Sequence, residues 1–232
     1  MEFMLIFNAA DPHFEPDPEC MVEMGQFAQE LARQKKLRRG FPLAGPDHAA
    51  TVRVRDGQKP IIVDGPFAET KEQVAGAWII EAADRAEALE IASRVPHTRY
   101  ATTEVHALAG RWEATDSEKG KPWILLFHME PGLVPTPDKM EQMIAYGTKL
   151  QEQGIQFETA PLTDRVAPAR LQTRTGKVFV TDGPFAETKE GVGGYSLVRA
   201  PDRATAIDLA VRYPHAKWGK VEVREVLFFD RV

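Results

Sequence analysis

Two short apolar runs stand out, FMLIF at 3–7 and WILLF at 123–127. Runs of this length bounded by polar residues fit strands buried on both faces. Behind each run the period changes to that of a helix. Met21, Met24, Phe27, Ala28 and Leu31 form one stripe, with Asp17 as N-cap and Pro18 in the first helical position. Met140, Met143, Ile144, Gly147 and Leu150 form the other, behind Thr136 and Pro137. Stripes of this kind read as core. Gly40 and Gly154 read as the helix stops.

Alternating segments follow. TVRVRDGQKPIIVDG predicts a hairpin turning at Asp56 and Gly57, and RLQTRTGKVFVTDG one turning near Gly176. A strand comes next, at 75–81 or 193–199. A second helix opens at Asp84, with Glu87 completing a capping box, or at Asp202. Ala88, Leu89, Ala92 and Val95 form the inward face of the first of these. The last strands lie at 103–108 and 221–229.

The elements recur because the chain repeats. Residues 64–108 lie on 182–226 without a gap, and DGPFAETKE is identical at 64–72 and 182–190. Gly76/Gly194, Asp84/Asp202, Arg85/Arg203, Pro96/Pro214, His97/His215 and Glu104/Glu222 also match. The period is too long for a solenoid. The expectation is an α+β chain of two tandem ferredoxin-like domains, at 1–110 and 122–232, with a polar linker at 111–121. Each follows the order β-α-β-β-β-α-β, with helices on one sheet face. The bare faces of the two sheets would then pack together as an intramolecular pseudo-dimer.

Composition narrows the function. The net charge of −5 leaves no basic excess for a nucleic-acid backbone. The basic run at 33–39 reads as a helix end. Cys20 is the single cysteine, so an intrachain disulfide is excluded. No apolar run reaches the length of a membrane span, and the first residues lack a signal-type cleavage pattern, which points to the cytoplasm. The six histidines are scattered without metal-ligand spacing, so neither a metal nor another cofactor is expected.

Two constellations carry candidate chemistry. In the repeated nonapeptide, Asp64 and Asp182 end a strand. Glu69, Thr70 and Lys71, repeated as Glu187, Thr188 and Lys189, place acids, a hydroxyl and an ammonium side by side. One reading is the polar rim of a cleft, with Lys and Thr binding an anionic or phenolic oxygen and Asp or Glu taking a proton. The other is a self-satisfied turn that locks the two copies together. The second constellation is PHTRY at 96–100 and PHAKW at 214–218. His97 and His215 read either as general bases or as helix-end histidines favouring the dipole. Cys20 reads as a buried structural thiol.

VDGPFAETKE and TDGPFAETKE, each between two strands, resemble the signature of the YCII-related family, in particular its DGPF branch. The resemblance covers nearly the whole chain and implies a ferredoxin-like, dimeric α/β-barrel type of fold. It implies little about activity. One relative resembles a dehydrochlorinase with a His and an Asp in its proposed site. Here the first helices begin PECMVEM and PDKMEQM, without His, and the later steps read VPH and YPH, without Asp, so that dyad is not carried over. The resemblance also implies a sigma-factor-associated setting. Two functional classes therefore stand. One is a small-molecule-binding or lyase/hydrolase-like domain pair for an aromatic or anionic metabolite. The other is a non-catalytic regulatory or protein-interaction module. Association into further homo-oligomers is left open.

Overall fold

Helix starts follow from the caps that the sequence supplies. Asp17 accepts from the Glu19 N–H at 2.9 Å, and Pro18 opens the first helix. Asp84 accepts from the Glu87 N–H at 3.0 Å while the Glu87 carboxylate accepts from the Ala83 N–H at 2.5 Å, a reciprocal box. Asp202 accepts from the Thr205 N–H at 2.8 Å. Thr136 precedes its helix without a side-chain cap bond.

The computed structural model describes residues 1–9, 17–55, 57–67, 73–129, 133–163, 165–183, 185 and 191–228. Its elements are β1 (Glu2–Ala9), α1 (Pro18–Arg33), β2 (Leu37–Pro42), β3 (Ala50–Arg53), β4 (Ile61–Asp64), β5 (Gln73–Glu81), α2 (Arg85–Arg94), β6 (Thr103–Leu108), β7 (Trp112–Glu113), β8 (Lys121–Met129), α3 (Pro137–Glu152), β9 (Gln156–Thr163), β10 (Ala169–Arg174), β11 (Lys177–Asp182), β12 (Gly191–Ala200), α4 (Arg203–Arg212) and β13 (Lys220–Glu225). Short 3₁₀ turns occupy Pro46–His48, Pro96–Arg99 and Pro214–Lys217. The fold is α+β.

Several expectations are corrected. The first helix stops at Arg33, Lys35 turns the chain with φ 59°, and Gly40 lies inside β2 rather than ending a helix. The basic run is thus shared between a helix end and a strand that the pattern conceals, because Arg38 and Arg39 interrupt its alternation. Among the described residues both halves place four strands between their helices, not three. The segment expected to be a linker carries β7, which pairs with β9. The last strand ends at Glu225. Met21 and Ile144, expected in the core stripes, are 46% and 61% exposed.

The strands form one connected network in the order β2-β5-β1-β6-β9-β12-β8-β13-β3-β4, with β10 joined to β6 and β11 to β10. The described pairs run antiparallel. The hairpins do not stay with the half that encodes them. First-half β3 pairs with second-half β13, Val52 opposite Val221, and second-half β10 pairs with first-half β6, Leu171 opposite Thr103. Two seams join the halves directly. Ala107 and Leu108 of β6 pair with Thr163 and Leu162 of β9, and Leu43, just after β2, bridges Val226, just after β13.

Three apolar clusters result. The one beneath α1 and α2 includes Phe3, Leu5, Trp78 and Ile80, and is completed by Ala169 and Leu171 of the visiting hairpin. The one beneath α3 and α4 includes Trp123, Leu125 and Val198, and is completed by Ala50 and Val52. The third joins Met4, Ile6, Phe41 and Ile79 of the first half to Ile124, Leu126, Tyr195 and Leu197 of the second.

One ion pair interrupts this central cluster. Arg39 sits opposite Ile79 and Glu158 opposite Leu197, equivalent places in the two halves. The Arg39 guanidinium lies 2.6 Å from the Glu158 carboxylate, whose side chain is fully buried. Tyr195 donates to the same carboxylate at 2.6 Å, and Arg111, which also holds Glu2, lies 3.3 Å away. Burial raises the Glu158 carboxyl above its ordinary range despite these partners. Arg39→Met is expected to cost about 2–3 kcal/mol, below the full cost of orphaning a buried carboxylate because Arg111 remains. Adding Glu158→Met should recover part of that loss. Urea denaturation of the single and double variants checks both statements.

Candidate functional site

Each half buries a glutamate in its last strand. Glu104 of β6 is 8% exposed and Glu222 of β13 is 6% exposed. Buried carboxylates persist only with partners. Glu104 accepts from His106 Nε2 at 2.8 Å, from Arg170 of the visiting β10 at 2.6 Å, and from Asn8 Nδ2 at 3.2 Å. Glu222 accepts from His128 Nε2 at 2.8 Å and from Arg224 at 3.0 Å. Burial pushes both carboxyls up, but the adjacent His and Arg outweigh it and hold each at about 2. They are fixed anions at neutral pH. Arg224, 2% exposed, extends further, donating to the carbonyls of Ala44 and Val74 in the other half.

Above these carboxylates, the end of β1 meets the start of β5. Ala9, the last residue of β1, pairs with Gln73, the first of β5, so the strand ends flanking 10–16 and 68–72 are neighbours. The 3₁₀ turn Pro96–Arg99 brings His97 to the same place. Its Nε2 lies 2.9 Å from the Asn8 carbonyl oxygen, and its ring packs against Phe7 with centroids 5.3 Å apart. The second half repeats this arrangement. His215 Nε2 lies 2.9 Å from the His128 carbonyl, with Phe127 5.2 Å away. A carbonyl only accepts, so Nε2 carries the proton in each. Burial lowers both imidazoles, His215 to about 4, so the rings are neutral at pH 7 and Nδ1 bears the lone pair. We call these two places pole one and pole two.

Asp64 and Asp182, the other expected catalytic pair, do not lie with the histidines. Asp64 is ion-paired with Arg203 at the start of α4, and Asp182 with Arg85 at the start of α2. Each pair crosses between halves. Arg203 also donates to the Ala49 carbonyl at 2.8 Å, and Arg85 to that of Ala167 at 2.9 Å. The glycines that follow are packed tightly. A Cβ on Gly65 would overlap the Pro46 carbonyl oxygen, and one on Gly183 would come within 2.7 Å of Pro168 Cγ. The Phe185 ring lies 4.7 Å beneath the Arg170 guanidinium that holds Glu104. The remaining expected residues, Glu69, Thr70, Lys71, Glu187, Thr188 and Lys189, lie outside the described residues.

A cleft of about 730 Å³ opens beside pole one, lined by Glu23, Phe27 and Glu30 of α1, by Arg94 and Arg99, and by Thr173 of the visiting hairpin. Among the described residues no group of three or more His, Cys, Asp or Glu could hold a metal ion, and no helix is long and apolar enough to cross a membrane. Cys20 is buried, and burial raises its thiol. Sequence reasoning passed over His106, His128, Arg170 and Arg224. The signal available was a glutamate matched in both copies, set among valines in a strand (TEVHAL, VEVREV). A charge at an inward strand position demands partners.

Comparison with known proteins gives one family. The model of the YCII-related domain matches residues 1–109 and again 123–230. An uncharacterised protein of Rhizobium meliloti (strain 1021) is 35% identical over 97 residues, 41% of this chain and 77% of that protein.

The electrostatics predict a two-stage acid response. His97 and His215 are depressed below the ordinary value of 6.5, so the unfolded chain binds protons that the folded one refuses. Stability is full above pH 6.5 and falls as the pH drops toward 4. Below 4.5, protonation of Glu104 and Glu222 adds a second loss that runs toward pH 2. His215→Phe should flatten the first stage, read as a smaller difference between urea midpoints at pH 7 and pH 5. An unchanged difference would remove His215 from the account.

Proposed function

Because this chain belongs to the YCII-related domain family, we propose that it is a tandem, single-chain form of that domain, of the DGPF branch, which binds a small aromatic or anionic metabolite at its poles. The domains would span 1–110 and 122–232 as ferredoxin-like halves of an intramolecular pseudo-dimer. The two seams, β6 with β9 and Leu43 with Val226, support reading β2, β5, β1, β6, β9, β12, β8 and β13 as one closed barrel around the central cluster.

The observation that carries the binding reading is the neutral imidazole at each strand end. At pole one it stands beside Gln73, the residue directly after the repeated tail. In this reading the neutral imidazoles of His97 and His215 serve as the bases that meet a ligand hydroxyl or acid. Glu69, Thr70 and Lys71, with Glu187, Thr188 and Lys189, form the polar rim. Such a site suits lyase- or hydrolase-like proton transfer. Asp64 and Asp182 hold the loops through Arg203 and Arg85 rather than meeting the ligand.

A specific observation favours a second reading, the structural loop of a non-catalytic interaction module. The Asp of the motif is ion-paired across the halves at both places, and the Gly after it is packed tightly against its own half. The two readings divide the nonapeptide between them, because the latch accounts for Asp and Gly but not for the identical tail.

A thermal-shift screen of phenols, benzoates and small organic acids separates them. Binding at the poles predicts that a compound raises Tm and that Lys71→Ala with Lys189→Ala abolishes the rise, leaving the ligand-free Tm unchanged. A purely structural tail predicts no stabilising compound and a lowered ligand-free Tm in the double variant.

A further inference from the structure

The two poles are built on one plan but are not chemically equal. At pole one the Gln73 amide is 7% exposed, and neither its oxygen nor its nitrogen has a partner among the described residues. Val74, the next residue, belongs to the central cluster, so Gln73 points to the opposite, helix-covered side of β5. Phe7 lies on that side, and Ala9, opposite Gln73, alternates onto it. Thr103 pairs with Phe7 and alternates with Val105 of the same cluster. Its hydroxyl is fully buried and also lacks a partner among the described residues. Gln73, Thr103 and His97 thus each attach to one of the last three residues of β1.

Pole two lacks these two groups, and there Trp218 Nε1, a donor only, is the buried atom without a partner among the described residues. Gly191 stands where Gln73 does, and Val221 where Thr103 does. The Trp218 ring packs edge-on against His215 at 5.6 Å, and the Lys139 ammonium sits over Trp218 at 5.2 Å. Its counterpart Tyr100 is 41% exposed.

Unpaired buried amides and hydroxyls are costly and rare, and each calls for a reason, of which a partner arriving from outside is one. We propose that pole one receives a planar ligand carrying a donor and an acceptor on one edge, selected by the Gln73 amide. A lactam, a primary amide or an un-ionised carboxylic acid has that edge. An ionised carboxylate would satisfy the amide N–H groups and leave the carbonyl unmet. Phe7 and Ala9 are the apolar neighbours of the amide on that side, each 5% exposed. This rests on the pole-binding reading above and adds to it the edge that pole one reads.

The test uses the full chain, ¹⁵N-labelled, with 2-pyridone as the probe and Gln73→Met as the variant. The methionine keeps the volume and removes the amide, so the ligand-free Tm should rise. The probe should shift the Gln73 side-chain amide signals, assigned by their loss in the variant, and bind the variant about tenfold more weakly. A ligand-free Tm lowered by Gln73→Met would overturn the proposal, since the amide would then be satisfied within the protein. Shifts at pole two with none at Gln73 would overturn it while leaving the pole-binding reading standing. Absence of shifts at both poles would overturn both.

Discussion

The loan of a β-hairpin from each half to the sheet of the other is the constraint on which the rest of the structure depends. Without β10, the cluster under α1 and α2 loses Ala169 and Leu171. Without β3, the cluster under α3 and α4 loses Ala50 and Val52. Each half thus completes a core that is mostly encoded elsewhere in the chain. The repeated Asp-Gly-Pro-Phe portions follow directly from this. Each closes a lent hairpin, so its Asp meets an Arg at the start of the other half's second helix, and its glycine fits where a Cβ would not. The ion pairs are exposed and weakly stabilising. Their value is register, because a slip of one residue would turn the whole hairpin over. The outer strands stay bare. Ile61, Ile62 and Val63 of β4 and Val178, Phe179 and Val180 of β11 are 40–53% exposed.

The lent β10–β11 hairpin also brings a charge, Arg170, to the buried Glu104, and around the two buried glutamates the halves have drifted apart in position while keeping the same chemistry. Glu104 meets His106 and Arg170, whereas Glu222 meets His128 and Arg224. One histidine and one arginine suffice to keep a buried carboxylate ionised, and it matters little which strand delivers them. One chain can also differ with itself where two identical chains cannot. Arg39 and Glu158 hold equivalent places and attract each other. Two identical chains would instead put the same residue at both of those places. The unequal poles extend this freedom to the candidate site.

The parts of the fold legible in the sequence were those with local causes. Asp84 and Asp202 cap the helices that they announce, and Gly176 turns its hairpin with φ 75°. The apolar runs became β1 and β8. The hidden features had distant causes. Strand β2 was masked by Arg38 and Arg39, whose place in a strand depends on Glu81 and Glu158 arriving from elsewhere. Nothing in TVRVR says that its partner lies in β13. Likewise Glu104 and Glu222 were visible as a repeated match, but their partners come from three strands for Glu104 and two for Glu222, and are not the same residues twice. His97 and His215 were singled out as a pair, and their surroundings are alike. Their neutrality could not be read from the sequence, because it comes from burial against β1 and β8.

Hydrogen exchange resolved by segment tests the central claim, that the halves are interlocked and open together. Amides of β3 and β10 should exchange with the same opening free energy as those of β13 and β6, on which they pair, and that value should match global unfolding. Faster exchange of both hairpins at a separate, lower free energy, with the remaining strands still protected, would contradict it.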